Sequence, residues 1–181
     1  MSKIFSTFAA KFIKVNMESV IFKRKAYQKL LEWKRDSAGK TALLIEGARR
    51  IGKSTLVEQF AKKEYQSYIL IDFANIKPQV SNLIANGFAD LDDFFTRLQF
   101  LSGVQLYERQ SLIIFDEVQL QPLARQAIKY LVKDGRYDYV ETGSLISISK
   151  NVKNIVIPSE ERTLTMYPMD FEEFLWAMGN E

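Results

Sequence analysis

The chain has no cysteine and no histidine among its 181 residues. The first absence excludes disulfides, thiolate-held zinc and a cysteine nucleophile. The second removes the commonest general base near neutral pH and the commonest ligand of transition metals. Any metal held here is therefore expected to be a hard cation bound through oxygen, with Mg²⁺ foremost. Long apolar runs are missing too. A membrane-spanning helix needs roughly 20 apolar residues, whereas the longest runs here, such as Ala42–Ile45 and Leu112–Phe115, have strand length. The lysines near the start are not followed by a continuous apolar stretch and a small-residue cleavage site. No secretory signal is read, and a cytoplasmic protein without a membrane partner is expected.

What is present is enough apolar material to fold. Apolar residues make up 47% of the chain and charged residues 26%, which suits one α/β domain. The net charge of +3 is uneven. Residues 1–25 carry Lys3, Lys11, Lys14, Lys23, Arg24 and Lys25 against Glu18 alone. Residues 1–24 read as a basic extension and residues 25–181 as the domain. A basic end suits either a solvated tail or an acidic partner such as nucleic acid.

Apolar spacing predicts helices over 27–35, 53–63, 90–101, 123–133 and 171–178. It predicts strands over 41–45, 68–73, 112–115, 137–141 and 164–166. In the last helix, Phe171, Phe174, Leu175 and Met178 share one face; Leu123 is expected inward in the helix before it. Strands alternating with helices imply a parallel sheet covered on both faces, a three-layer α/β fold. Alternation in Ser144–Ser149 and Val152–Ile157 around Asn151 suggests a β-hairpin inserted after the fourth strand.

The strongest local signal is Gly47-Ala48-Arg49-Arg50-Ile51-Gly52-Lys53-Ser54, with Thr55 following. It lies between an apolar strand and an amphipathic helix. Gly47 is expected where a side chain would oppose the turn out of the strand, and Gly52 where the backbone wraps close to phosphate. Successive N–H groups and the helix N-terminus then face the anion. Lys53 would reach the β- and γ-phosphates, and the Ser54 hydroxyl would join the Mg²⁺ coordination. Arg49 and Arg50 could touch phosphate, meet a neighbouring subunit or face water.

Asp116 and Glu117 end the third apolar strand. Beside a phosphate loop, Asp116 would hold Mg²⁺ through water and Glu117 would polarise the attacking water. Thr142 or Ser144, at the end of the fourth strand, could hydrogen-bond the γ-phosphate or that water. Gln119 is a candidate support for the acidic pair. Arg125 and Arg162 are candidates for stabilising charge in the transition state, with a surface role the plainer reading of each.

Four segments together resemble the AAA+ ATPases, and in particular a prokaryotic group of predicted ATPases. They are Leu43–Ser54, Ile113–Gln119, Glu141–Ser144 and Met166–Leu175. The group pairs an N-terminal AAA+ module with a C-terminal winged-helix and nuclease-like region. The resemblance implies a P-loop fold with sheet order 5-1-4-3-2, ATP and Mg²⁺ as ligands, and hydrolysis to ADP and phosphate. It makes Lys53 and Ser54 the Walker A ligands and Asp116 and Glu117 the Walker B pair. Thr142 takes the place of the polar sensor residue, with Ser144 second. Self-association or a protein partner is implied as well. The group often carries Gly-Arg before the fifth strand, where this chain reads Ser159-Glu160. A helical lid and C-terminal domains are not expected within 25–181, which leaves a nucleotide-gated module with little turnover as an alternative. A small-molecule kinase is a further one.

Overall fold

The computed structural model describes residues 22–144 and 159–179. In chain order the elements are α1 (Lys25–Ser37), β1 (Ala42–Gly47), α2 (Lys53–Glu64), β2 (Ser67–Asp72), α3 (Pro78–Asn86), α4 (Leu91–Ser102), β3 (Ser111–Asp116), α5 (Pro122–Asp134), β4 (Asp138–Ser144), β5 (Glu161–Met166) and α6 (Phe171–Ala177). Every helix and strand expected from apolar spacing is present. One was not anticipated: α3, whose first position is Pro78 and which buries Leu83 and Ile84. The segment expected to form a hairpin lies, beyond Ser144, outside the described residues.

The five strands form one parallel sheet in the order β2-β3-β4-β1-β5, which is 5-1-4-3-2 read from the other edge. Strand side chains alternate between faces, so two separate cores result. One face buries Ala42, Leu44, Ile113, Phe115 and Tyr139 against α3, α4 and α5. The other buries Leu43, Ile45, Leu112, Ile114 and Val140 against α1 and α2. Near-continuous apolar strands are what a sheet covered on both sides requires. Phe60 of α2 is fully buried and stacks edge-on with Tyr27 and Tyr65. Burying such a ring contributes about 1.5–3 kcal/mol.

The apolar stripe of α6 faces solvent, and one expectation about α5 is corrected. In α6 and at its C-cap, Phe171, Phe174 and Met178 are 76%, 51% and 66% exposed, while Glu173 is buried. The helix is turned by a polar contact of Glu173 and not by its apolar stripe. In α5, Leu123 is exposed and Arg125 takes an inward place instead. Arg125 is 4% exposed and meets Glu161 of β5 with two nitrogens, at 3.0 and 3.3 Å. The buried carboxylate partner makes an inward arginine tolerable.

Candidate active site

The C-terminal ends of β1, β3 and β4 lie side by side, so their last residues and the loops that follow share one crevice. β1 ends at Gly47. A Cβ there would stand 2.2 Å from the Met166 carbonyl oxygen and 2.9 Å from Ile51 Cδ1. Glycine is thus required by the close approach of β5, not by an unusual dihedral, which corrects the expectation for this residue. Gly52 does adopt a left-handed conformation, φ 91°, and α2 begins at the next residue. Arg50 is left-handed too, at φ 63°. Arg49 and Arg50 are both exposed.

Lys53 opens α2 but turns back across the loop. Its ammonium donates to the carbonyls of Ala48 at 2.7 Å and Gly47 at 3.4 Å. Burial lowers its pKa, and the carboxylates of Glu117 and Asp116 pull it back up. The loop carbonyls hold the ammonium, and the acidic pair favours its charged form. The first N–H groups of α2 have no partner within the helix, and the helix dipole adds positive potential.

Asp116 is 9% exposed. One of its oxygens, Oδ1, accepts from the Ser54 hydroxyl at 2.7 Å and also from the Thr142 hydroxyl. The Thr142 oxygen in turn accepts the Glu117 N–H at 3.4 Å. Thr142 thus stands between the two acids and bonds to both. Glu117 turns the chain out of β3 through a left-handed conformation, φ 55° and ψ 46°. Its carboxylate accepts a bond from the Gln119 side-chain amide, and Gln119 is itself buried. Ser54, Asp116 and Thr142 are oxygen donors only, which suits Mg²⁺. No group of three or more carboxylates placed to hold a metal ion occurs among the described residues, so phosphate and water would supply the remaining ligands.

Beside Gly52 lies a cavity of about 440 Å³, lined among others by Phe22, Thr55, Gln59, Pro168 and Met169. Sequence reasoning assigned the phosphate loop but neither this cavity nor Arg24 at its edge. The Asp170-x-x-Glu173 spacing is a capping signal that local reading could use; nothing local signals the contact with Arg24. Ser144 is buried beside Gly47. Neither candidate arginine faces the crevice. Arg125 is committed to Glu161. Arg162 is exposed and pairs in register with Leu43, four residues and roughly 13 Å of strand before Met166.

A parallel sheet in this order, with the glycine-bounded loop leading from β1 into α2 and carboxylates at the end of β3, defines a P-loop nucleotide-binding protein. The AAA domain model matches residues 39–175. This chain belongs to the AAA domain family. No curated protein matches it. Among solved structures, that of C. elegans PCH-2 is 12% identical with a TM-score of 0.48, over 85% of this chain and 45% of that one. The Pyrococcus furiosus Hef helicase domain is 16% identical with a TM-score of 0.35, over 80% of this chain and 40% of that one. The chain spans less than half the length of either. Among the described residues no helix is long and apolar enough to cross a membrane.

Proposed function

We propose that this chain binds ATP with Mg²⁺ and hydrolyses it to ADP and phosphate. The observation that carries the reading is Glu117. It follows the metal-side acid Asp116, has its N–H on Thr142 and its carboxylate on Gln119, and acts electrostatically on Lys53. A glutamate so placed can take a proton from water as the water oxygen attacks the γ-phosphorus. The bond from that phosphorus to the bridging oxygen then breaks, and ADP carries the electron pair away. Lys53 would hold the β- and γ-phosphates, and the N–H groups of residues 48–55 would line the chain of oxygens. Bound Mg²⁺ would neutralise phosphate charge beside Ser54 and Asp116. The cavity lined by Phe22, Pro168 and Met169 is apolar enough to receive a nucleobase next to Gly52. Turnover of ATP needs a compartment that supplies it, so a cytoplasmic setting is part of the proposal.

The test is phosphate release and ATP binding in Glu117→Gln. Binding retained with turnover lost is expected; turnover at the wild-type rate would sink the assignment. Transfer of labelled γ-phosphate to an acceptor other than water would mark a kinase instead. One observation favours a nucleotide-gated interaction module with negligible turnover. Arg125 and Arg162 stand away from the crevice, so neither supplies the cation that speeds phosphoryl transfer. In that reading self-association or a protein partner would provide it. Wild-type turnover that rises with protein concentration would support the first source.

A further inference from the structure

Arg24 immediately precedes α1, and its side chain is only 10% exposed. Its guanidinium makes three bonds to two segments, the loop before α2 and Met166–Leu175. Nη1 donates to the Ile51 carbonyl at 2.9 Å, Nη2 to the Tyr167 carbonyl at 2.7 Å, and Nε to Glu173 Oε1 at 3.1 Å. Glu173 is equally committed. Its Oε1 also accepts the Lys25 N–H at 2.7 Å, and its Oε2 accepts the Asp170 N–H at 3.1 Å. One carboxylate therefore serves the first N–H of α1, the capping box of α6 and the guanidinium between them. Three nitrogens of one planar fork are used, a set that lysine cannot reproduce.

The contact with Ile51 bears on the phosphate loop. A trans peptide directs its C=O and the following N–H to opposite sides, and the chain has no cis bond among the described residues. Holding the Ile51 oxygen toward Arg24 turns the Gly52 N–H away from Arg24. Gly52 cannot fix this plane itself, because a glycine has both signs of φ open to it. Its own φ is 91°, and a Cβ there would meet nothing nearer than Arg24 Nη1 at 3.9 Å. An outside group has to choose the orientation.

We propose that Arg24, held by Glu173, is a positioning residue that locks the Ile51–Gly52 peptide with its N–H presented to the nucleotide phosphates. This rests on reading residues 47–55 as the phosphate loop. It also gives the Met166–Leu175 segment a role in that loop: Tyr167 and Glu173 aim the guanidinium, which aims the peptide. A merely structural fastening of α6 would change folding stability and leave nucleotide affinity alone.

The experiment measures Mg-ATP and Mg-pyrophosphate affinity, with nucleotide-free melting temperature, for wild type, Arg24→Ala, Arg24→Lys, Glu173→Gln and Lys53→Ala. Arg24→Ala is expected to weaken both ligands about tenfold, the effect of losing one oriented donor to a charged group. Ethylguanidinium added to Arg24→Ala should restore part of that affinity. Arg24→Lys should lie nearer to alanine than to wild type, and Glu173→Gln should weaken binding less than either. If Arg24→Ala does not fold, Arg24→Lys decides by the same affinities. Wild-type affinity in a folded Arg24 variant, with Lys53→Ala unable to bind, would overturn the proposal. Wild-type affinity in Lys53→Ala would overturn the phosphate-loop reading beneath it.

Discussion

Two buried polar clusters sit on opposite faces of β4, one residue apart. Thr142 faces α2 and joins Ser54, Asp116 and Glu117. Glu141 faces α5 and joins Arg125 and Glu161. The first cluster is built of acids bridged by hydroxyls and lies at the open end of the sheet. The second is sealed: the side chains of Arg125 and Glu161 are 5% and 1% exposed and Glu141 is fully buried. Among the described residues, no N–H or hydroxyl reaches either oxygen of Glu141. Its neighbour is another carboxylate, and two carboxyls can bond only by sharing a proton. Burial pushes the Glu141 pKa well above the ordinary carboxylate range, Glu161 adds to the push, and Arg125 opposes it. The same residue types thus do different work. At the open end the charge is proposed to serve chemistry; in the sealed cluster it bears on stability.

That contrast can be broken at five places. The largest effect should come from Glu117→Gln, which is expected to slow phosphate release about a hundredfold or more, while ATP binding measured by calorimetry persists. Arg125→Met removes the cation from the sealed cluster and leaves two acids facing each other. Chemical denaturation should show about 3 kcal/mol or more of lost stability; a loss too small to measure would mean that the cluster is not sealed. Thr142→Val keeps the shape and removes the bridge between Asp116 and Glu117. Turnover should drop about tenfold, with little change in nucleotide-free melting, and an unchanged rate would detach Thr142 from the site.

Glu141→Gln should go the other way. The folded pKa of Glu141 lies above its unfolded value, so its contribution is fully present below the ordinary carboxylate pKa. That contribution is lost as pH rises through the folded pKa. Fixing the neutral form should therefore raise stability by about 1 kcal/mol near pH 8 and by less near pH 5. A gain that grows toward acid pH would contradict the proton-sharing account. The smallest effect belongs to Phe174→Gln on the exposed face of α6, expected within about 0.5 kcal/mol of wild type by denaturation. A larger loss would show that this face is covered in solution.

Local pattern was enough for much of this molecule. The strands are apolar runs, and the runs of β1 and β3 end in a glycine loop and in paired carboxylates. These are signals within a few residues of one another, so β1, β3 and the glycine-bounded loop between β1 and α2 are legible. What escaped depends on distant partners. The spacing of Phe171, Phe174 and Met178 announces a helix correctly, yet Arg24, 149 positions away from Glu173, decides which side turns inward. Arg125 reads as a surface charge until Glu161 is found beside it. α3 is short and needed the core around Leu83 and Ile84 to reveal it. At Gly47 the residue was expected for the wrong reason, because its true constraint is the carbonyl of Met166 on another strand. For Thr142 the sequence supplied a candidate polar residue; the pairing with Asp116 and Glu117 needed the register of β3 against β4.

The left-handed backbone at Glu117 has a consequence for selection. A non-glycine residue in that region costs roughly 1–2 kcal/mol. Glycine would relieve the strain and delete the proposed base in one step. A laboratory screen that rewarded heat resistance alone should therefore enrich Gly at position 117, whereas one that demanded turnover should restore Glu. Running both screens on one library would read, position by position, where this fold has traded durability for activity.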